Sequence, residues 1–365
     1  MRENRKEMDL TLLGWDADWE ETCVRYATQA GLVPGRVALE HNHVYRVLTA
    51  DGEWLAEAAG RLKFHATGRD ELPAVGDWVG VRRAHAHERA VIHVILPRRS
   101  RFSRTAAGRG TAEQVVAANI DTVFLVFSLE IAVKPRSIER YLVLARQSQA
   151  EPVIVLNKVD RAPDFSTTLR EVAALAPGVA VHAVSALDGR GFEWLDTHLI
   201  VGRTVALLGP SGGGKSTIVN RLVGHELLAT GDVRSWDARG RHTSVHRQLI
   251  VLDRGGIVID TPGMRELQLW EADGSVDEVF DDVSALASSC RFRDCRHDTE
   301  PGCAVKAGIE TGRLDPSRYE AYLKLARERE AFAVRQDERA LIDKKRQSRI
   351  AQKALRAMQQ RKGKP

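Results

Sequence analysis

Eight consecutive residues, Gly209-Pro210-Ser211-Gly212-Gly213-Gly214-Lys215-Ser216, have the types and spacing that cradle a phosphate. Glycines 212, 213 and 214 let the backbone curl so that successive N–H groups point at one centre, and a helix opening at Lys215 adds its positive end. Lys215 supplies charge to the β- and γ-phosphates of a nucleotide, the Ser216 hydroxyl is a ligand for Mg²⁺, and Thr217 comes next in the same first turn. A second group, Asn157-Lys158-Val159-Asp160, suits a purine. The Asp160 carboxylate can accept hydrogen bonds from guanine N1–H and the exocyclic amine, which adenine does not offer, so it would select GTP over ATP. Lys158 would lie along the base plane, and Asn157 would tie the base loop to the phosphate loop. Ser185-Ala186-Leu187 comes after the next apolar run, where a backbone N–H can meet guanine O6.

The remaining chemistry lies in two polar stretches. Asp260-Thr261-Pro262-Gly263 ends an apolar run; Asp260 fits a carboxylate that holds Mg²⁺ through water, and the Gly263 N–H fits a γ-phosphate contact that makes the adjoining segment a switch. Gly240-Arg241-His242-Thr243-Ser244 reads as the other switch, with Thr243 the candidate hydroxyl for Mg²⁺ when GTP is bound and Ser244 the alternative. Met264 stands where many GTPases carry a glutamine that orients water, which makes unassisted hydrolysis slow. His242 is the nearest substitute by motif position; the competing reading is a histidine that packs or caps the switch loop.

The order of these parts is unusual: the guanine motif precedes the phosphate loop, whereas in most GTPases it comes last. The chain therefore reads as a circularly permuted GTPase. Its supporting elements fit. Between Gln114 and Asp282, apolar runs at Thr122–Phe127, Val153–Leu156, Val179–Val184, Thr204–Leu208 and Gly256–Ile259 alternate with helical patterns such as Ser137–Gln149 and Ser216–Val223. That rhythm is a doubly wound α/β domain, whose ligands sit at the carboxyl ends of its strands. Beyond it, Cys290-X4-Cys295-X-His297-X5-Cys303 offers three thiolates and one imidazole. These close a tetrahedral zinc shell with no open position, so one zinc would be structural. Only about 27 residues separate Gly263 from Cys290, which places the second switch close in sequence to the metal module.

Upstream, five short β-like runs, at 37–39, 44–48, 53–56, 78–81 and 90–95, occupy about 65 residues, with Asp51-Gly52 as a hairpin signal. An OB-fold barrel, often an RNA-binding scaffold, suits that pattern, and an SH3-like barrel would give nearly the same string. Arg82, Arg83, Arg98, Arg99, Arg101, Arg104 and Arg109 on the later strands and exit linker read either as an RNA contact or as a solvated basic surface. A polar lead precedes the barrel, with a helix expected from Trp19 to Ala30. A helix from Pro316 to about Ala333 should pack on the zinc loop through Tyr319, Tyr322, Leu323 and Leu325. The tail from Arg335 to Lys364 is strongly basic and suits an RNA surface, or serves solubility alone.

Composition bounds the rest. With 365 residues, 43% of them hydrophobic, the chain can support two or three packed domains. A net charge of +5 and a pI near 9.1 are compatible with an RNA partner. The sequence contains no apolar run of the roughly 20 residues a membrane helix needs, and Met1–Lys6 lacks the apolar stretch of a signal peptide, so a cytoplasmic location and no membrane are expected. Three of the four cysteines cluster between 290 and 303, which favours a metal site over a disulfide framework; Cys23 reads as a partly buried thiol.

Taken together, from about Gly35 to Ala333 the chain resembles the RsgA or YjeQ family of small ribosomal subunit biogenesis GTPases. The resemblance rests on the barrel, the permuted nucleotide motifs, and the cysteine–histidine cluster continuing as Glu300-Pro301-Gly302-Cys303-Ala304-Val305. Departures are small: Ser244-Val245 stands where the family tends to carry further threonines, and Gly213 where a larger apolar residue is common. Membership implies GTP hydrolysis stimulated by the small subunit, contact with its rRNA, and a role in late maturation. The expected organisation is an extension at 1–34, an OB-like RNA-binding barrel and linker at 35–112, a permuted GTPase domain at 113–283, a zinc-binding helical domain at 284–333 and a basic tail at 334–365. Zn²⁺ and Mg²⁺ with GTP are the expected cofactors, and a monomer off the ribosome the expected state. The competing function is an rRNA-binding scaffold that senses GTP or GDP with little turnover.

Overall fold

A computed structural model of the chain describes residues 8–27, 31–83, 85, 88–105, 113–225, 248–260, 275–298, 300–331 and 334. These fall into two compact units, one within residues 1–268 and one within residues 269–365.

The first unit opens with a helix, α1 (Ala17–Tyr26), whose N-terminus is capped by Asp16 accepting from Trp19 N–H at 2.9 Å. It begins two residues before the expected start, and residues 28–30 lie outside the described set. Five strands come next: β1 (Val33–His41), β2 (Val44–Thr49), β3 (Gly52–Ala58), β4 (Trp78–Arg82) and β5 (Ala90–Ile95), with a short helix α2 (Gly60–His65) after β3. They pair in the order β1-β2-β3-β5-β4, and β4 returns to β1, so the barrel closes. The parallel β3–β5 pair and the β1–β4 closure are the OB-type arrangement. Alternating burial along β2 and β3 sends Tyr45, Val47, Trp54, Ala56 and Ala58 into the core. The β2–β3 turn lies at Ala50-Asp51, with Gly52 at φ +101° opening β3.

The lead is part of this core. Leu13 and Trp19 are buried with Trp78 and Leu96, and Trp15 meets Trp78 edge-on with ring centroids 4.7 Å apart. Cys23 packs on the same cluster, and burial pushes its thiol up. Arg36 of β1 is 2% exposed and binds three backbone carbonyls: Leu13 O, Gly76 O at 3.2 Å and Asn119 O at 2.9 Å. One guanidinium therefore fastens the lead, the barrel and the approach to the α/β sheet. Burial lowers its pKa to about 10, opposed by Asp121 and Asp77, so it stays protonated at neutral pH.

The basic exit linker differs from its sequence reading. Arg98 is not a solvated cation: it binds the fully buried Asp77 through both carboxylate oxygens at 2.8 Å, plus Asp70 O and Leu72 O. Arg99 pairs with Asp16 at 2.6 and 2.7 Å and lies 4.2 Å over the Trp19 ring. Arg101 and Arg104 lie on β6 (Arg101–Thr105), which pairs antiparallel with β7 (Glu113–Ala118) in a separate two-stranded sheet; Arg109 lies outside the described residues. Carbonyls and carboxylates from distant sequence positions satisfy the Arg98 and Arg99 charges, which charge counting alone does not reveal.

The α/β part runs β8 (Thr122–Ser128), α3 (Pro135–Ser148), β9 (Glu151–Asn157), α4 (Ser166–Leu175), β10 (Ala180–Val184), α5 (Phe192–Asp196), β11 (Thr204–Leu208), α6 (Lys215–Val223), β12 (Gln248–Val251) and β13 (Ile257–Asp260). The strand order is β10-β9-β8-β11-β13-β12, all parallel except β12 against β13. All seven residues of β8 are buried, as expected of a central strand covered on both faces. The chain enters at β8, moves to the β10 edge, then returns to the centre at β11. That return places the late phosphate loop beside the early guanine motif. β12, which the apolar pattern had not marked, pairs Gln248 with Leu39 of β1 and joins the barrel to the same continuous sheet.

The second unit contains α7 (Ser275–Val279), α8 (Asp281–Ser288), α9 (Ala304–Glu310) and α10 (residues 316–331). Phe280, Val283, Val305, Leu314, Ala321 and Leu325 are buried in it. Asp315 starts α10 by accepting from Ser317 N–H at 2.6 Å, with Pro316 at the first helical position. Arg318 pins α10 to α8 through both oxygens of Asp282, at 2.6 and 2.9 Å, and covers the Phe280 ring. No helix of the described residues is long and apolar enough to cross a membrane.

Replacing Arg36 by Met retains bulk but takes the donor from Leu13 O and Asn119 O, while Gly76 O keeps the Asn119 Nδ2 donor at 3.1 Å. A loss of about 3 kcal/mol is expected, lowering the melting temperature by roughly 5–10 °C for a unit of this size. Calorimetry of the full chain checks this, and an unchanged midpoint contradicts the role given to Arg36.

Candidate nucleotide site and metal centre

The phosphate loop leaves the centre of the sheet at the carboxyl end of β11. Gly209, at φ +140°, has no room for a side chain, because a Cβ would stand 2.1 Å from Val126 O of β8. Gly214 is confined similarly: it has φ +91°, and a Cβ would lie 2.2 Å from Asn157 Nδ2. The strand neighbours and the guanine motif thus hold the loop from both sides. Lys215 Nζ donates to Gly209 O at 2.8 Å and Pro210 O at 2.7 Å, so the ammonium is anchored on the loop it serves. Ser216 and Thr217 sit half-buried in the first turn of α6, while Ser211 and Gly212 are exposed at the loop tip.

Asn157, 1% exposed at the end of β9, joins three segments. Its Nδ2 donates to Gly213 O at 2.9 Å, its Oδ1 accepts from Ala186 N–H at 3.0 Å, and its backbone carbonyl accepts from Leu129 N–H at 2.9 Å. The Ala186 N–H therefore serves the Asn157 side chain in this arrangement. Ser185, fully buried, donates its hydroxyl to Asp160 Oδ1 at 2.7 Å and accepts from Asp188 N–H at 3.2 Å. The other Asp160 oxygen lies 3.4 Å from Arg161 Nε. An Asp188–Arg190 pair stiffens the turn, and the Arg190 hydrogen bond holds the Asp188 carboxyl well below the usual carboxylate range.

Two residues outside every predicted motif act on this end of the site. Arg221 of α6 donates to Ala186 O at 3.4 Å and Leu187 O at 3.1 Å, so the helix that starts at Lys215 also braces the 185–190 turn. Glu130, two residues past β8, forms an ion pair with Lys158 Nζ. Neither has a local signal: Arg221 reads as a surface position on a helix, and Ser128-Leu129-Glu130 as an ordinary strand end.

Asp260 is the last residue of β13 and is half-buried. Because Ile259 pairs with Ala206 of β11, Asp260 comes level with Leu207, just before the phosphate loop. His242, Thr243, Ser244 and Gly263 lie outside the described residues.

In the second unit, Cys290, Cys295, His297 and Cys303 bring one ligand atom each to within 4.8 Å of one another. Cys290 Sγ and Cys303 Sγ are 4.0 Å apart, and His297 Nδ1 is 3.5 and 3.4 Å from them. A tetrahedral shell with metal–sulfur bonds near 2.3 Å and metal–nitrogen bonds near 2.0 Å requires separations of roughly 3.8 and 3.6 Å, so the cluster could hold one metal ion. Ala304 N–H donates to Cys290 Sγ at 3.3 Å and Lys306 N–H to Cys303 Sγ at 3.4 Å, so the start of α9 supplies a backbone donor to each of these two sulfurs. Tyr319 of α10 meets the His297 ring edge-on at 6.4 Å, which is the expected packing of that helix on the metal loop.

A family model described as RsgA GTPase matches residues 95–270. The chain is 48% identical over 337 residues to the small ribosomal subunit biogenesis GTPase RsgA of Opitutus terrae, covering 90% of this chain and 91% of that one. It is 40% identical over 336 residues to the protein of the same name from Streptomyces coelicolor, covering 91% and 89%. Among solved structures, YjeQ from Thermotoga maritima superposes with a TM-score of 0.59 at 28% identity, covering 80% of this chain and 97% of that one. The circularly permuted GTPase YloQ gives a TM-score of 0.57 at 25% identity, covering 85% and 96%. The rotated motif order, the strand order and these likenesses agree: the chain belongs to the RsgA GTPase family and is a circularly permuted GTP hydrolase.

Proposed function

We propose that this protein binds the small ribosomal subunit and its rRNA and acts in the subunit's late maturation, hydrolysing GTP to GDP and phosphate with stimulation by the subunit. The observation that carries this is likeness along nearly the whole chain, barrel and cysteine cluster included, to relatives named for that role. The protein works in the cytoplasm, as a monomer off the ribosome.

In the nucleotide site, Asp160 reads guanine, Lys158 lies along the base, and the turn at Ser185-Ala186 closes over it. Residues Gly209 to Gly214 turn their N–H groups to the phosphates, and Lys215 supplies charge to the β- and γ-phosphates. Mg²⁺, when bound with GTP, would be held by Ser216 and Thr243 directly and by Asp260 through water, neutralising phosphate charge. Gly263 contacts the γ-phosphate, and His242 orients the attacking water. Cys290, Cys295, His297 and Cys303 hold one structural Zn²⁺; three thiolates and one imidazole with no open position fit that ion.

Phosphate release with and without purified small subunits tests the function. Stimulation on the order of 10-fold or more is expected, and its absence would favour a scaffold that senses GTP or GDP with little turnover. In the same assay, His242→Ala should lower kcat by about 100-fold with nucleotide affinity nearly intact. Lost affinity with full turnover at saturating GTP would make His242 structural.

Cys295→Ser with Cys303→Ser should remove the metal and the local fold it supports, since structural zinc contributes on the order of 10 kcal/mol to such modules. The α/β sheet has its own core, so GTP binding should persist while subunit-stimulated hydrolysis falls. Full stimulation after metal loss, verified by metal analysis, would assign subunit sensing to the barrel or the basic tail.

A further inference from the structure

Glu130 stands outside every GTPase motif, yet its carboxylate meets the ammonium of Lys158, the residue expected to lie along the guanine plane. Its backbone is fixed on the site. Leu129 N–H donates to Asn157 O at 2.9 Å, and Glu130 N–H donates to Ser128 Oγ at 3.2 Å, so the segment after β8 is fastened to the guanine motif itself. Lys158 has φ +73°, a left-handed conformation uncommon for a long side chain. That backbone sets the direction in which the side chain departs, but a four-carbon stem retains several rotamers. The ion pair selects among them.

We infer that Glu130 is a positioning residue for guanine recognition, holding the Lys158 stem where the base is to lie along it. The inference rests on reading residues 157–160 as the guanine motif. Among the charged groups near Glu130, Asp160 opposes its ionisation and Arg161 supports it; Lys158 dominates and keeps the carboxyl below its ordinary range. The pair is 28% and 41% exposed, so its effect belongs with partly solvated ion pairs and weakens at high salt.

The test uses the full chain and a fluorescent GDP, with dissociation measured by stopped flow. Glu130→Gln and Glu130→Ala should each raise the dissociation rate by about 3- to 5-fold at low salt, and less at high salt. kcat at saturating GTP with small subunits should stay unchanged. In a Lys158→Ala background, which itself loses affinity, Glu130→Ala should add nothing. An undiminished effect in that background would mean that Glu130 acts independently of Lys158, and loss of the effect with 2′-deoxy-GDP would locate it on the ribose; either overturns the positioning role. If Lys158→Ala accelerates release but Glu130→Ala does not, the positioning role fails alone. If Lys158→Ala leaves release unchanged, the guanine reading of the motif fails and takes the inference with it. Thermal midpoints of the Glu130 variants should match the parent, separating positioning from folding.

Discussion

A buried amide that must satisfy both of its ends fixes the geometry of this site. Asn157 is almost without solvent, and its two side-chain atoms find partners only if the phosphate loop stands on one side and the 185–190 turn on the other. Leaving either partner unmade costs about 1–3 kcal/mol, so the three loops settle together or not at all. Loops joined by short hydrogen bonds to one rigid strand end can present a base-reading carboxylate and a phosphate cradle at a fixed separation. That is the preorganisation a nucleotide site requires.

The permutation explains why such a bridge is needed. Gly213 lies 56 residues beyond Asn157, and the chain visits the sheet edge at β10 before returning to its centre at β11. Sequence neighbourhood does nothing to hold the two loops together; parallel pairing of β8, β9 and β11 brings their ends level, and Asn157 fastens them. The same logic recurs where the α/β sheet meets the barrel. Arg36 collects carbonyls from residues 23, 40 and 83 positions away, and β12 lays one hydrogen-bonded pairing against β1. Buried polar groups with obligatory partners specify how segments distant in sequence fit, while the apolar cores supply the bulk of the stability.

This division decides what the sequence discloses. The five barrel strands, the central strands of the sheet and the helix after the phosphate loop carry local signals of burial and turn chemistry, and each forms close to where those signals point. The proposed phosphate and guanine motifs are likewise read from consecutive residues, and the fold brings the two segments together at Asn157 and Gly213. The function of the lead is not legible in this way, because Trp15 and Trp19 acquire meaning only against Trp78, some sixty positions away. Arg98 and Arg99 mislead a count of charges because their partners, Asp77 and Asp16, are far off in the chain. Glu130 and Arg221 are invisible likewise, since each acts on a loop that only the folded sheet brings near. The four-residue β12 is too short for its period to be read.

The claim that one side chain couples base and phosphate recognition is tested most directly by calorimetric titration of GDP into Asn157→Ala. The account predicts a loss of affinity of about 100-fold, from two hydrogen bonds broken in a buried setting, with the sheet still folded by circular dichroism. GDP affinity within about twofold of the parent would contradict it, and would mean that the strand ends alone hold the phosphate loop and the guanine motif in register.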